Sequence, residues 1–250
     1  MTEPIGAFRL FTSALTTTFT KFPALFLLSA PFIGIGFLIN NALYGIEAAT
    51  MEYELLIEQS RFGAAITSML ISLTSISAAY CFIAAYLLNA RNGRPFQIVS
   101  CLNILRSRLF RLTISQIVAA IALIASFSTI AGGVWLSGLW AISAVIVIAE
   151  PGEGLGFIRS TRLTKNHRWS LGIASTGVMV ASMLFSFLMN LGTGAEIFAA
   201  DQQITSADAF RNILENMASA MFLAPFAVLA YLRILEHNEG TPSEIEEIFR

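Results

Sequence analysis

Long stretches without Asp, Glu, Lys or Arg alternate with short polar segments along this chain. The charge-free runs are Phe22–Ile46, Phe62–Ala90, Leu112–Ala149 and Ser170–Ala195, and Asn216–Leu232 is a further run. A membrane-crossing helix needs about 20 mostly apolar residues. The run Leu112–Ala149 is too long for one crossing: its 38 residues would make a helix of about 57 Å against a hydrocarbon core of about 30 Å. Gly132-Gly133 lies near its middle, and two consecutive glycines are a natural break. The pattern therefore predicts an all-α, polytopic membrane helix bundle of six transmembrane helices. The spans fall at about residues 22–46, 62–90, 114–131, 134–149, 170–192 and 214–235, with a tight hairpin at Gly132-Gly133. Residues 1–236 form one membrane domain and 237–250 an acidic tail. A cleaved signal peptide fits the first run less well than a retained helix, because Glu3 and Arg9 flank it and it outlasts an h-region.

The segments before spans 1, 3 and 5 have a helical rhythm of their own. Ile5, Phe8, Phe11, Leu15 and Phe19 recur at helical spacing. So do Ile98, Cys101, Leu102, Leu105, Leu109 and Leu112, with Arg106, Arg108 and Arg111 downstream. Leu155–Leu163 is a shorter version, followed by Lys165, His167, Arg168 and Trp169. Each reads as an amphipathic helix in the membrane interface. The chain then reads as three units of interfacial helix, basic junction and hairpin, either as a true repeat or as basic loops that merely look alike. On the opposite side, Glu47–Arg61 and Gly192–Glu215 are acidic. Met51, Leu55 and Leu56 have helical spacing, Ser206-Ala-Asp-Ala marks a helix start into the last span, and Thr241-Pro-Ser-Glu244 marks another in the tail.

Composition agrees with a membrane protein. Hydrophobic residues are 56% and charged residues 12% of 250, with mean hydropathy +0.71, whereas soluble domains carry about 25% charged residues. The net charge of −1 gives no basic excess for nucleic acid. Two cysteines make no disulfide framework. Position reveals more than the total. With the N-terminus cytoplasmic, 13 of the 15 Lys and Arg fall on the inner side, and only Arg61 and Arg211 on the outer. Acidic residues split eight and eight, leaving +5 inside and −6 outside. The positive-inside rule thus places both termini in the cytoplasm.

Catalytic chemistry is hard to find. His167 and His237 are the two histidines, without a second His or Cys at metal-ligand spacing. No phosphate-loop, dinucleotide, zinc-protease or serine-hydrolase motif occurs. Gly152-Glu-Gly-Leu-Gly156 could cradle a phosphate, but a turn out of the membrane is the favoured reading. Span interiors hold no ionisable residue, where a proton relay or ion-coupled carrier usually has one. Glu150, at the inner end of span 4, has Arg159, Arg162 and Arg168 as possible partners. Cys81 and Cys101 read as packing residues, with acylation of Cys101 the alternative. Pro31 and Pro225 interrupt spans whose freed carbonyls neighbours can satisfy. Gly172, Ser175, Gly177 and Ser186 permit close helix contact. The candidate headgroup or structural interface is Glu150, Arg159, Arg162, Lys165, His167 and Arg168. No catalytic, cofactor or metal residue is assigned.

The run Val145 to Gly152, then Gly156-Phe-Ile-Arg159-Ser160-Thr-Arg162-Leu163-Thr164-Lys165-Asn-His167-Arg168-Trp169, resembles the glycerophosphoryl diester phosphodiesterase membrane-domain family and related YciC-like bacterial membrane proteins. Pro225 to Arg233 and Glu239-Gly240 fit the same pattern. The resemblance implies a bacterial inner-membrane protein. The family name derives from members fused to a phosphodiesterase domain; this chain has none, so that activity does not carry over. The expectation is a non-enzymatic membrane module contacting anionic lipid or a protein partner. A small transporter component or a membrane-embedded lipid-processing enzyme are the alternatives.

Overall fold

The computed structural model describes residues 6–46, 61–126, 129–150, 152–192 and 206–239. Its elements, in chain order, are α1 (Ala7–Thr20), α2 (Phe22–Tyr44), α3 (Phe62–Arg91), α4 (Ile98–Ser126), α5 (Ile130–Trp140), α6 (Ser143–Ala149), α7 (Phe157–Leu163), α8 (Arg168–Gly192) and α9 (Ser206–Glu239). No strand occurs among the described residues. Six helical stretches are long and apolar enough to cross a membrane: α2, α3, α4, α5 with α6 (Ile130–Ala149), α8 and α9. The chain is an all-α polytopic bundle. The acidic segment 47–60, the end of the 192–215 connection (residues 193–205) and the tail from 240 lie outside the described residues.

Burial orders the helices. Within its apolar window α9 is 78% buried and α3 61%, whereas α4 is 17% and α2 22%. The two central spans supply most of the core, from Ala78 to Leu88 and from Met217 to Leu235, joined by Val145–Ala149 of α6. The outer helices turn Leu27, Leu38, Ile124, Met183 and Leu188 outward. In water so large an apolar surface would drive association; in a bilayer it is the surface that faces lipid.

The break in the long apolar run is not at Gly132-Gly133. Helix α4 ends at Ser126 and α5 starts at Ile130, so both glycines lie inside α5. Thr129 is the residue before the helix, with extended backbone, and the Gly133 N–H bonds its carbonyl at 3.1 Å. The Thr129 hydroxyl makes no cap to α5 and donates instead to the Ser126 carbonyl at 3.3 Å, at the end of α4. The spans expected at 114–131 and 134–149 are therefore α4 up to Ser126 and Ile130–Ala149. The amphipathic stretch expected before span 3 runs directly into the span, as one continuous helix α4, 29 residues long. No helix-breaking residue stands between Ile98 and Ser126, and Cys101 packs with Phe82 and Ala85. The interfacial helices before spans 1 and 5 do stay separate, as α1 and α7. The three units thus differ in build.

Helix α1 is amphipathic, but its protein-facing stripe is Leu10, Ala14 and Thr18, while Phe8 and Phe19 are exposed. Its Phe11 ring lies against Gly177 of α8. Thr18 donates its hydroxyl to the Met221 carbonyl at 3.1 Å. That carbonyl lies four residues before Pro225, inside α9, and proline has no N–H to give it. A side chain from another helix answers the vacancy, as a bilayer requires.

Helices α5 and α8 cross backbone to backbone. A Cβ placed on Gly138 would overlap the Arg168 carbonyl oxygen and stand 2.7 Å from the Gly172 nitrogen. One on Gly172 would overlap the Val134 carbonyl. In both cases the obstacle is main chain, which cannot turn aside. Ser182 and Ser175 on the same helix are also buried. Gly138→Ala and Gly172→Ala are expected to lower stability by about 1–3 kcal/mol each, the range for overpacking. Gly34→Ala, where nothing lies within 4 Å, should leave it unchanged or raise it. Thermal unfolding in detergent checks this; equal behaviour of the three variants would show that the crossing is not tight.

Candidate functional site

The fourth span is discontinuous. Helix α5 ends at Trp140, residues 141 and 142 form a turn, and α6 resumes at Ser143. A broken helix leaves carbonyls without helical donors. Each break here is met by a side chain. The Leu139 carbonyl accepts the Ser160 hydroxyl at 2.7 Å and the Thr164 hydroxyl at 3.3 Å. The Trp140 carbonyl accepts the Ser143 hydroxyl at 2.9 Å. At the far end of α6, the Arg108 guanidinium donates to the Val147 carbonyl at 3.1 Å and to the Ile148 carbonyl. A cation at a helix C-terminus also meets the negative end of its dipole.

The sequence explains why α7 can do this. Ser160 and Thr164 are four residues apart, so both hydroxyls lie on one helical face, and both are fully buried. Gly156 precedes α7 with φ 76°, and a Cβ there would meet the Ser143 carbonyl. Only glycine suits both constraints. Gly152 and Gly154 also have positive φ. The Gly152–Gly156 segment is therefore a turn that brings α7 back against α5 and α6. Ser115 of α4 donates to the Leu155 carbonyl at 3.0 Å, and Asn238 of α9 to the Leu163 carbonyl at 3.0 Å.

Glu150 sits at the centre of this junction, 8% exposed. One carboxylate oxygen accepts the Tyr231 hydroxyl at 2.9 Å, and the other accepts Arg159 Nε at 3.0 Å. Tyr231 is completely buried in α9. A buried carboxylate is tolerated when paired and hydrogen-bonded, and this one ties α6, α7 and α9 together.

The six expected interface residues separate into groups. Glu150 and Arg159 form the buried pair. Arg168 donates to the Thr161 carbonyl at 3.3 Å and lies 5.2 Å from the Trp135 ring centroid, a cation–π distance. Arg162 and Lys165 lie on and just after α7, both exposed. His167 does not join Glu150; its ring stands edge-on to that of His237, centroids 4.9 Å apart. Among the described residues, His167 Nε2 and His237 Nδ1 are buried without a hydrogen bond. Burial, and then the neighbouring His237, hold His167 below the usual histidine range. Among the described residues no group of three or more His, Cys, Asp or Glu converges as a metal site would.

Two contributors have no distinct role in the sequence pattern. Arg108 reads there as one more orienting charge, and Tyr231 as part of an apolar span. Their common signal is a polar side chain placed to reach backbone or carboxylate at a depth where water is scarce. In comparisons with known proteins, no family model, curated protein or solved structure matched the chain.

Two measurements test the junction. Tyr231→Phe removes a hydrogen bond to a charged group and should cost about 1.5–3 kcal/mol. Combined with Arg159→Gln it should fall short of or exceed the sum of the single effects by at least about 0.5 kcal/mol, because the two share one carboxylate. Strict additivity would dissolve the triad. For His167, a folded-state pKa below the unfolded value means that the folded form resists protonation. Stability is then complete above the unfolded pKa of about 6.5 and declines as pH falls through it. Between pH 7.5 and 5.5 the protein should lose more thermal stability than His167→Gln does; parallel losses would show that His167 is not the group responsible.

Proposed function

We propose that this chain is a non-enzymatic membrane module of the bacterial inner membrane, whose basic end contacts anionic headgroups. The observation that carries the reading is the division of labour among the basic residues. Arg108, Arg159 and Arg168 are engaged by carbonyls, Glu150 or Trp135. Arg162 and Lys165 instead stand at the surface on and just after α7, beside the exposed Ile158 and Trp169. A pair of cations with an aliphatic and an indole neighbour is a surface for the headgroup layer. The positive-inside bias supports placing this end in the cytoplasm.

Glu150 also weighs toward a module. Both its oxygens hold internal donors, Arg159 and Tyr231, which fits a tie between helices. The membrane-domain resemblance of Val145–Trp169 is consistent with this role. We read its Arg159, Ser160 and Thr164 as structural clamps.

The test is lipid selection in nanodiscs of mixed phosphatidylglycerol and phosphatidylcholine. Each surface cation is worth about 1 kcal/mol near an anionic leaflet at low salt, so Arg162→Gln/Lys165→Gln should weaken enrichment of the anionic lipid by up to about 30-fold. Salt should have the same direction of effect. Undiminished enrichment in the double variant would overturn the proposal.

A further inference from the structure

A second basic feature lies elsewhere on the same end of the bundle. Lys21 occupies the junction between α1 and α2, and Arg91 is the last residue of α3. Between them is a cavity of about 170 Å³, lined by Thr17, Lys21, Leu87, Arg91, Leu229 and Leu232 among others. That is a space of about five or six waters' volume.

Its lining changes character with depth. Leu87 lies one helical turn before Arg91, and Leu232 one turn before Glu236, so each apolar residue sits about 6 Å along its helix from a charged one. Charge at the span ends and leucine one turn deeper match an amphiphile, with its phosphate at the rim and its chains along the wall. A free anion would need no such wall.

The two cations differ in their engagement. Arg91 pairs with Glu236, which leaves guanidinium donors over. The Lys21 ammonium lies 5.2 Å from the Tyr86 ring centroid, and among the described residues no carboxylate pairs with it. Tyr86 steadies the lysine without neutralising it. Lys21 caps the C-terminus of the 14-residue α1 and precedes the first turn of the 23-residue α2, so the two helix ends oppose one another there and the positive potential is that of the ammonium itself. The Thr17 hydroxyl already donates to the Ser13 carbonyl at 2.8 Å, so the donors available to a ligand are those of Lys21 and Arg91.

We infer that this cleft between α1, α2, α3 and α9 is a stoichiometric site for one anionic phospholipid, its phosphate held by Lys21 and Arg91 and its chains along Leu87, Leu229 and Leu232. This deepens the reading that the chain engages anionic headgroups, and differs from it in being one discrete site rather than a general enrichment at α7.

Native mass spectrometry of the delipidated full chain, titrated with phosphatidylglycerol, phosphatidylcholine or inorganic phosphate, tests it. One phosphatidylglycerol should bind per chain, at least tenfold more tightly than phosphatidylcholine. Lys21→Gln and Arg91→Gln should each weaken it at least tenfold, whereas Arg162→Gln/Lys165→Gln should leave it unchanged. Glu236→Gln, which frees Arg91, should tighten binding, a gain that misfolding cannot produce. Absence of the one-to-one adduct, indifference to Lys21 and Arg91, or no tightening in Glu236→Gln would overturn the site. Inorganic phosphate binding as tightly as the lipid would overturn the lipid assignment. Loss of this adduct with nanodisc enrichment intact refutes the cleft alone; the converse refutes the α7 surface alone.

Discussion

A backbone carbonyl without a helical donor has no water to turn to inside a bilayer, and the fourth span exposes such groups at its middle and its end. Much of this end of the molecule is arranged around that demand. Ser160 and Thr164 reach the Leu139 carbonyl, Ser143 reaches Trp140, and Arg108 reaches Val147 and Ile148. The donors come from three different helices, so the break in one span becomes the point at which α4, α6 and α7 are fixed. Glu150 extends the fixation to α9 through Tyr231. An unbroken helix would have left the Leu139 and Trp140 carbonyls paired within itself, and Ser160 and Thr164 without this role.

The spans were legible because the rule behind them is severe: a charge-free run of the right length suits a membrane crossing and little else. The start of α9 at Ser206 was legible for a similarly local reason, since a serine followed by acidic and small residues caps a helix wherever it stands. The break before α5 was not. Two glycines look like a turn in isolation, yet the bundle uses this stretch as helix, and the break falls earlier, before Ile130. The run of the amphipathic stretch into the third span was legible, because no Gly or Pro between Ile98 and Ser126 interrupts the backbone although the two parts differ in composition.

The site was legible in part, and the division has a physical basis. Glu150 with Arg159 is a pair nine residues apart across a glycine turn, close enough in sequence for its charges to be matched by eye. Tyr231 lies 81 residues from its carboxylate, and Arg108 39 residues from its first carbonyl. Pairings at that range depend on how helices pack. His167 was grouped with the arginines because it stands among them in sequence, but the fold turns its ring to His237. Counting charges by side of the membrane treats Arg108 and Arg162 alike; one is spent on backbone and the other is left for the surroundings.

The bond from Thr18 to the carbonyl vacated by Pro225 has a bearing on how the chain is put together. Its ends are separated by 203 residues, nearly the whole polypeptide. The donor helix α1 is made long before the last span is inserted. Until then its buried stripe of Leu10, Ala14 and Thr18 has no α9 to meet, and when α9 arrives its proline gap finds a hydroxyl already waiting. Closure of this contact is thus coupled to insertion of α9: α1 joins it across the bundle, and the bond forms only when both helices are present.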